Sequence, residues 1–492
     1  MSPDAIGFAI VLLAAIMLAG KYLRVKVPFI QKLLLPSAII AGVIGLALGP
    51  QVAGRLAGPT GWSWLESGGL FTTEIYEIWS ALPGLLISVV FATLFLGSRI
   101  PSPKRVARLA GPQISVGIAY GSGQYVVGIG LALLVLGPLF GVDPLLGGLI
   151  EIAFEGGHGT AGGMTTVFED IGIPEAADLA LAMATVGLVS AIVIGVAVIN
   201  WGVRTGRTRV LQEVSHQSRD ELRGLYTDSE TVYAGRMTAR PGSIEPLTLH
   251  VAVVGLAIIL GWLMQVTLVA VEDALWGRPD SLWTADGGEG TTLLGYVPLF
   301  PLAMLGGVLV QVVLDRTGST HLIDHEMMKR IQGLALDILI VAALSSISLT
   351  VIADYWRTFL ILSIAGVAFC MLMLLFFTPR IVPAFWLERG IADFGQSMGV
   401  TATGLALLRV ADPYDESPAL EAFGYKQLVF EPFFGGGLIT AISIPVMATF
   451  GVWWILAPMA VVFVVSITAG MIHHRGVRSG RWSDPAAEMV GR

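Results

Sequence analysis

Apolar runs alternate along this chain with short polar and charged stretches, and most of the runs are long enough to cross a bilayer. A hydrocarbon core takes about 20 residues of helix, and eleven runs approach or exceed that length, at roughly 4–22, 33–50, 79–97, 112–137, 177–201, 247–271, 293–314, 333–353, 357–378, 427–450 and 452–472. Two further stretches, near 145–168 and 391–410, are apolar but interrupted. The first contains Glu155-Gly-Gly-His-Gly-Thr-Ala-Gly-Gly-Met164 and the second Asp393-Phe-Gly-Gln-Ser-Met-Gly-Val-Thr-Ala-Thr-Gly404. Each glycine costs a helix about 1 kcal/mol relative to alanine, so both are expected to unwind. Inside a membrane, unwound backbone survives only where protein buries it or where it lines a wet cavity. The pattern therefore predicts two re-entrant hairpins among eleven full spans.

Composition agrees with this reading. Charged residues make up 13% of the chain, against about 25% in soluble domains, and the mean hydropathy is +0.77. Asp4 and the lack of a basic leader or small-residue cleavage pattern make the first run a retained span and not a signal peptide. The single cysteine, Cys370, lies in an apolar run and excludes an intrachain disulfide. No phosphate loop or nucleotide fingerprint is present, which argues against ATP-driven chemistry and against nucleic-acid binding.

The basic residues set an orientation. Lys21, Arg24, Lys26 and Lys32 follow the first run, and Arg99, Lys104, Arg105 and Arg108 follow the third, which places the amino terminus outside. If both interrupted stretches enter and leave on one side, all of the 29 Lys and Arg residues except Arg55, Arg278 and Arg357 lie inside. The outside loops are then acidic, with Glu169, Asp170, Glu175 and Asp178, then Glu272, Asp273, Asp280, Asp286 and Glu289.

A polar linker at 202–246, with a short helix expected near 218–225, separates two halves. Residues 1–201 and 247–450 each hold four spans, an interrupted stretch and a fifth span, with opposite starting sides; residues 452–492 add one span and a cytoplasmic tail. A sequence echo links the second spans, Pro36-Ser-Ala38 with Gly42-Val43 against Pro301-Leu-Ala303 with Gly307-Val308. The expected fold is thus an all-α polytopic membrane protein with two inverted five-helix repeats, each carrying a re-entrant hairpin, plus one extra C-terminal span.

Half-helix starts bind carboxylates, whereas carbonyls and hydroxyls suit a small cation. Candidate solute ligands are Gly156, Gly157, His158, Gly159 and Thr160 in the first loop, and Ser397, Gly399, Thr401 and Thr403 in the second, with Arg409 for a solute carboxylate. Glu155 and Asp393 are candidate ion-coupling groups, because an ionisable residue at span depth is functional by default. Glu151, Asp337 and Glu431 also lie at span depth, the last two as structural residues expected to pair with polar neighbours. Close helix packing is the competing account of small residues, and it is the one adopted for scattered glycines such as Gly42 and Gly255. His158 is expected to be a hydrogen-bonding residue that orients backbone. His321 and His325 share a helix face at a spacing that zinc sites use, but in a short loop without a cavity; no metal is expected there.

Four segments, Asp143-Pro-Leu-Leu-Gly147, Gly156-Gly-His-Gly-Thr160, Ala184-Thr-Val-Gly-Leu-Val189 and Gly399-Val-Thr-Ala402, resemble the sodium/glutamate symporter family, and the order of spans resembles it to about residue 450. The chain differs from the family pattern in having Glu155 before the first glycine pair, in Gln396, Ser397 and Met398 of the second loop, and in the last span. The basic residues place the amino terminus outside and the extra last span places the carboxyl terminus in the cytoplasm. The resemblance implies a multi-pass protein of the bacterial plasma (inner) membrane. It implies a homodimer without cofactors and without enzymatic activity. The implied function is sodium-coupled symport of glutamate or a related small amino acid or carboxylate anion. A proton-coupled carboxylate transporter and a gated channel built on the same loops are the alternatives.

Overall fold

The computed structural model describes residues 3–32, 36–57, 69–98, 103–210, 223, 225, 233–275, 297–412 and 416–482. Most of the linker, including most of the helix expected near 218–225, lies outside them, as do Arg99, Arg278, Asp280, Asp286 and Glu289. Among the described residues there are helices and no strands. We label the helices α1 (Pro3–Lys26), α2 (Ser37–Leu48), α3 (Thr73–Thr93), α4 (Pro103–Leu131), α5 (Leu149–Phe154), α6 (Gly157–Gly163), α7 (Thr165–Ile171), α8 (Glu175–Arg204), α9 (Pro246–Leu275), α10 (Leu299–Thr317), α11 (His325–Ser346), α12 (Trp356–Leu372), α13 (Trp386–Ala411), α14 (Ala419–Phe430), α15 (Leu438–Phe450) and α16 (Trp453–Arg478). Nine helical stretches among the described residues are long and apolar enough to span a membrane.

Two of the eleven expected spans come out differently. The stretch 427–450 is not one helix: α14 stops at Phe430 and α15 starts at Leu438. The cause lies between them, in Pro432 and the triplet Gly435, Gly436 and Gly437, with Gly435 and Gly436 at positive φ. The stretch 333–353 is carried by α11, which is capped by Asp324 accepting from the Met327 amide at 3.0 Å and ends at Ser346. It holds Lys329, Arg330 and Asp337 along its length, which keeps it out of the apolar nine. Asp337 is exposed and has no polar partner among the described residues, contrary to the expected pairing.

α4 and α12 share a departure from regular helix. Each runs into a π-helical segment, Ala132–Leu136 and Met373–Phe377, followed by a short α segment with proline second, Gly137–Phe140 and Thr378–Ile381. Proline has no N–H to offer the preceding turn, so the hydrogen-bond ladder must shift there.

α8 has 30 residues and is therefore about 45 Å long, which makes its two ends useful landmarks. At its start, Glu175 accepts a hydrogen bond from Tyr355 at 3.1 Å and Asp178 accepts one from the Ser348 amide at 2.7 Å. Arg357, two residues beyond Tyr355, lies 5.2 Å from the Phe140 ring. Phe140 and Glu175 therefore flank one corner, and the chain between them leaves that end of the molecule and returns to it. Just past the other end of α8, the Arg209 and Val210 amides donate to Glu388 at the start of α13. α13 folds back on itself: a Cβ on Gly404 would lie 2.4 Å from the Ala392 carbonyl, and Ala392 packs with Leu408. Both ends of α13 thus lie near the far end of α8.

Around this centre α2 packs on α11, α10 on α3, and α3 on α11, while α1 covers α2 and α9 covers α10. Gly42 serves the expected close packing, since a Cβ there would sit 2.5 Å from Leu344. Gly255 does not, with nothing within 4 Å of the same position.

Gly404→Val is expected to lower stability by about 1–3 kcal/mol, because the α13 arms cannot separate without losing their shared core. Gly255→Ala should change it by less than about 0.5 kcal/mol. Thermal unfolding of both purified variants in detergent checks the contrast.

Candidate functional site

Both interrupted stretches are more helical than expected. The correction is physical: the glycines of 157–163 are buried, and α6 is about two turns of helix. Only Glu155–Gly157 breaks it from α5, with Gly157 at φ +65°. Within 386–411, only Gly399 (φ −155°, ψ 33°) and Val400 (φ 64°, ψ 170°) are non-helical. A β-branched residue at positive φ is costly and persists only when its surroundings impose it.

What imposes it is the opposite loop. A Cβ on Gly157 would stand 2.3 Å from Val400 Cγ1, so the two bends touch. Glycine is required at 157 twice over, by its own φ and by its neighbour's side chain. α8 passes both bends: a Cβ on Gly187 would lie 2.3 Å from the Met398 carbonyl and 2.9 Å from Phe154. Gly399 faces the Leu188 backbone in the same manner. The segments 156–160, 184–189 and 399–402 therefore converge.

A third break joins them, unanticipated from the sequence. The bend between α14 and α15 is pinned by Glu151, which accepts from the Gly435 amide at 2.9 Å, the Thr440 hydroxyl at 2.7 Å and the Tyr125 hydroxyl at 2.7 Å. Gly436 leaves room for Thr160, whose Oγ1 would meet a Cβ there at 2.4 Å. Glu431, at the start of this bend, accepts from Thr401 and from Gln427, each at 2.7 Å, as a structural role requires. Its other oxygen is buried without a hydrogen bond.

The predicted residues divide into those the bends use and those they do not. His158 contacts Thr185 Oγ1 at 2.9 Å. Thr185 donates its own proton to the Leu181 carbonyl at 3.2 Å, which makes the imidazole the donor to it. Thr403 donates to the Gly399 carbonyl and stabilises the bend. Gly156 and Gly159 give close approach, to Thr160 and Ile87 respectively. Thr160 and Ser397 are fully buried, and both hydroxyls lack hydrogen bonds. Glu155 is 2% exposed and neither of its oxygens makes a hydrogen bond of ordinary geometry, although the Ser397 hydroxyl stands close enough to act on it. Arg409 is exposed and belongs to no part of this cluster. His321 and His325 bond separate carbonyls, of Gly318 and Leu96.

The buried cations are Arg389 and Lys426, not Arg409. Lys426 is fully enclosed, 3.5 Å from Asp393, hydrogen-bonded to Gln396 and 4.2 Å from the Phe430 ring centre. Gly117 on α4 admits its side chain, since a Cβ there would come within 2.3 Å of the Lys426 Cε. Arg389 donates to Gln113 and to the Leu109 carbonyl, and Gln113 donates to Asp393 at 3.2 Å. Gln124 donates to the Ser397 carbonyl at 2.7 Å and leaves its own oxygen without a partner. Sequence reasoning missed Lys426 because it precedes an apolar run, where a lysine ordinarily marks the interface, and missed Arg389 beside Glu388 for the same reason. Three side chains, Gln124, Thr160 and Ser397, carry unpartnered oxygens near the buried Glu155, and no local pattern announces such a group.

A separate cavity of about 560 Å³ runs beside α6 and α7, lined in part by Ser80, Ser88, Gly162, Thr166, Glu169 and Gln265. It borders the arm that returns from the first bend and does not open on the bends.

Breaks of this kind, in helices long and apolar enough for a bilayer, define a polytopic α-helical membrane protein with polar groups gathered in its interior. Residues 70–276, less than half of the chain, match the family model described as sodium/glutamate symporter. Over 194 residues the chain is 31% identical to the sodium/glutamate symporters of Escherichia coli (strain K12) and Shigella flexneri. That stretch is 39% of this chain and 43% of each relative, so the similarity spans less than half of the relatives' length.

Glu151→Gln removes one of the acceptors that hold the third bend and presents an amide to hydroxyl and N–H donors. Stability is expected to fall by about 1–3 kcal/mol. Faster proteolysis between 430 and 440 together with a lower unfolding midpoint checks it; an unchanged midpoint would deny the clamp.

Proposed function

We propose that this protein is a secondary active transporter that carries glutamate, or a related small amino acid or carboxylate anion, together with sodium across a bacterial plasma membrane. One observation carries the reading: the bends at Gly157 and Val400 touch in the interior, among buried oxygens of Glu155, Thr160, Ser397 and Gln124 that lack donors. Hard cations are taken by such oxygens, and interrupted helices supply the free carbonyls and amides that hold solute and ion. Gly156, Gly157, Gly159, Thr160, Ser397, Gly399, Thr401 and Thr403 are the proposed solute-binding segments, with His158 orienting the first bend.

The shared corner of Phe140 and Glu175, and the doubled-back arms of α13 at the other end of α8, support re-entrant hairpins approaching from opposite faces. The π segments followed by proline in α4 and α12, each directly before a bend, support two repeats of inverted orientation. In that arrangement the amino terminus lies outside and the carboxyl terminus inside, and α16 stands apart from the repeats. The family similarity supports sodium and glutamate as the transported pair.

Glu155 favours one second reading, proton coupling, because a buried carboxylate without hydrogen bonds can be neutralised by a proton as well as by sodium. Reconstituted vesicles separate the two. An imposed sodium gradient is expected to drive glutamate uptake at constant pH, and Glu155→Gln to remove that dependence. Uptake driven by a pH gradient alone would favour the second reading. Flux indifferent to either gradient, with large currents, would point to a channel and sink both.

A further inference from the structure

The two buried carboxylates nearest the bends are not equivalent. Asp393 is held through Oδ1 by the Lys426 ammonium at 3.5 Å and by Gln113 at 3.2 Å, and the Arg389 guanidinium adds its charge to the same carboxylate, while Oδ2 makes no hydrogen bond. Glu155 has no hydrogen bond, and its neighbours are the Ser397 hydroxyl, the charge of Lys426 and the like charges of Glu151 and Asp393. Lys426 is itself fully enclosed, and its charge also acts on Glu431. A lone ammonium buried to this degree persists only when paired.

We propose that Lys426 is a tethered cation that occupies the cation position offered by Asp393, so that the sodium drawn from solution binds at Glu155, with Ser397 among its ligands, and not at Asp393. This rests on the sodium-coupled reading above and sharpens it by assigning different roles to the two carboxylates. The geometry gives the reason. Lys426 reaches Asp393 from α14, across the hairpin arm that carries Asp393 and Gln396, and Gly117 on α4 is shaped to admit it. Asp393 therefore has its positive charge built in. Glu155 has none of its own at bonding distance, and the Thr160, Ser397 and Gln124 oxygens around the bends lack donors. Removing the ammonium leaves Asp393 as a second vacant carboxylate; removing both charges of the pair restores the original balance.

The test uses the purified full-length chain in detergent, with thermal stability measured against sodium concentration at constant ionic strength in choline. Wild type is expected to show saturable stabilisation by sodium, and Glu155→Gln to lose it. Lys426→Met is expected to respond at a sodium concentration at least tenfold lower, or to gain a second saturable phase. The double variant Asp393→Asn with Lys426→Met should titrate within about threefold of wild type, since one carboxylate and one ammonium are lost together. The double variant keeps the test decisive if Lys426→Met does not fold. A wild-type sodium response retained in Glu155→Gln, or lost in the double variant, would overturn the assignment, as would no sodium response in wild type. Glutamate uptake in vesicles is a separate readout, so failure of the lysine assignment and failure of the transport reading can be told apart.

Discussion

Interrupted backbone in a low-dielectric interior has to be sheltered, and here the shelter is mutual contact between two bends. Gly157 holds φ +65° because it has no Cβ, and the same lack of a Cβ leaves room for Val400 at φ 64°. Only the valine's conformation is costly in itself, since glycine adopts positive φ freely. The pair is flanked by Gly187 and Leu188 of α8, and the bend between α14 and α15 is bolted on through Glu151. Three interrupted elements are thereby locked around one small volume by backbone contacts that only glycine permits.

That packing explains the distribution of polar groups. Some buried polar side chains are satisfied, Glu151 by three donors and Gln113 by Arg389 and Asp393, whereas Glu388 takes two amides on one oxygen and leaves the other without a partner. At the bends the oxygens without donors are on Glu155, Thr160, Ser397, Gln124 and one side of Glu431; others lie elsewhere, on Ser345, Ser363 and Glu388. Unsatisfied buried acceptors are expensive, so a group of them beside two touching bends is consistent with a site prepared for cations. The proposed coupling of sodium to an anionic solute follows naturally, because the buried carboxylates make a poor home for an anion until cations are present.

Lys426 shows how far apart a charge's sequence context and its spatial role can be. In the chain it reads as an interfacial lysine at the head of an apolar run, while Arg409 reads as an interior cation. In the fold their positions are exchanged: α14 ends four residues after Lys426 and turns at Pro432, so the lysine points inward, and Arg409 lies on the outer side of the returning α13 arm.

The sequence by itself determined the helical membrane class, most of the spans and the location of two of the breaks, because apolar length and glycine density are local properties. Hydropathy could not reveal the break at Glu431–Gly437, since phenylalanines and glycines inside it keep the run apolar, nor could glycine density say that α6 would stay helical. The matching of Gly157 to Val400, of Lys426 to Asp393 and of Glu151 to Gly435 was decided only by tertiary structure. Each joins residues far apart in the chain, and each depends on helix rotation and depth, which are set by the packing of neighbours and leave no mark in any single stretch of sequence.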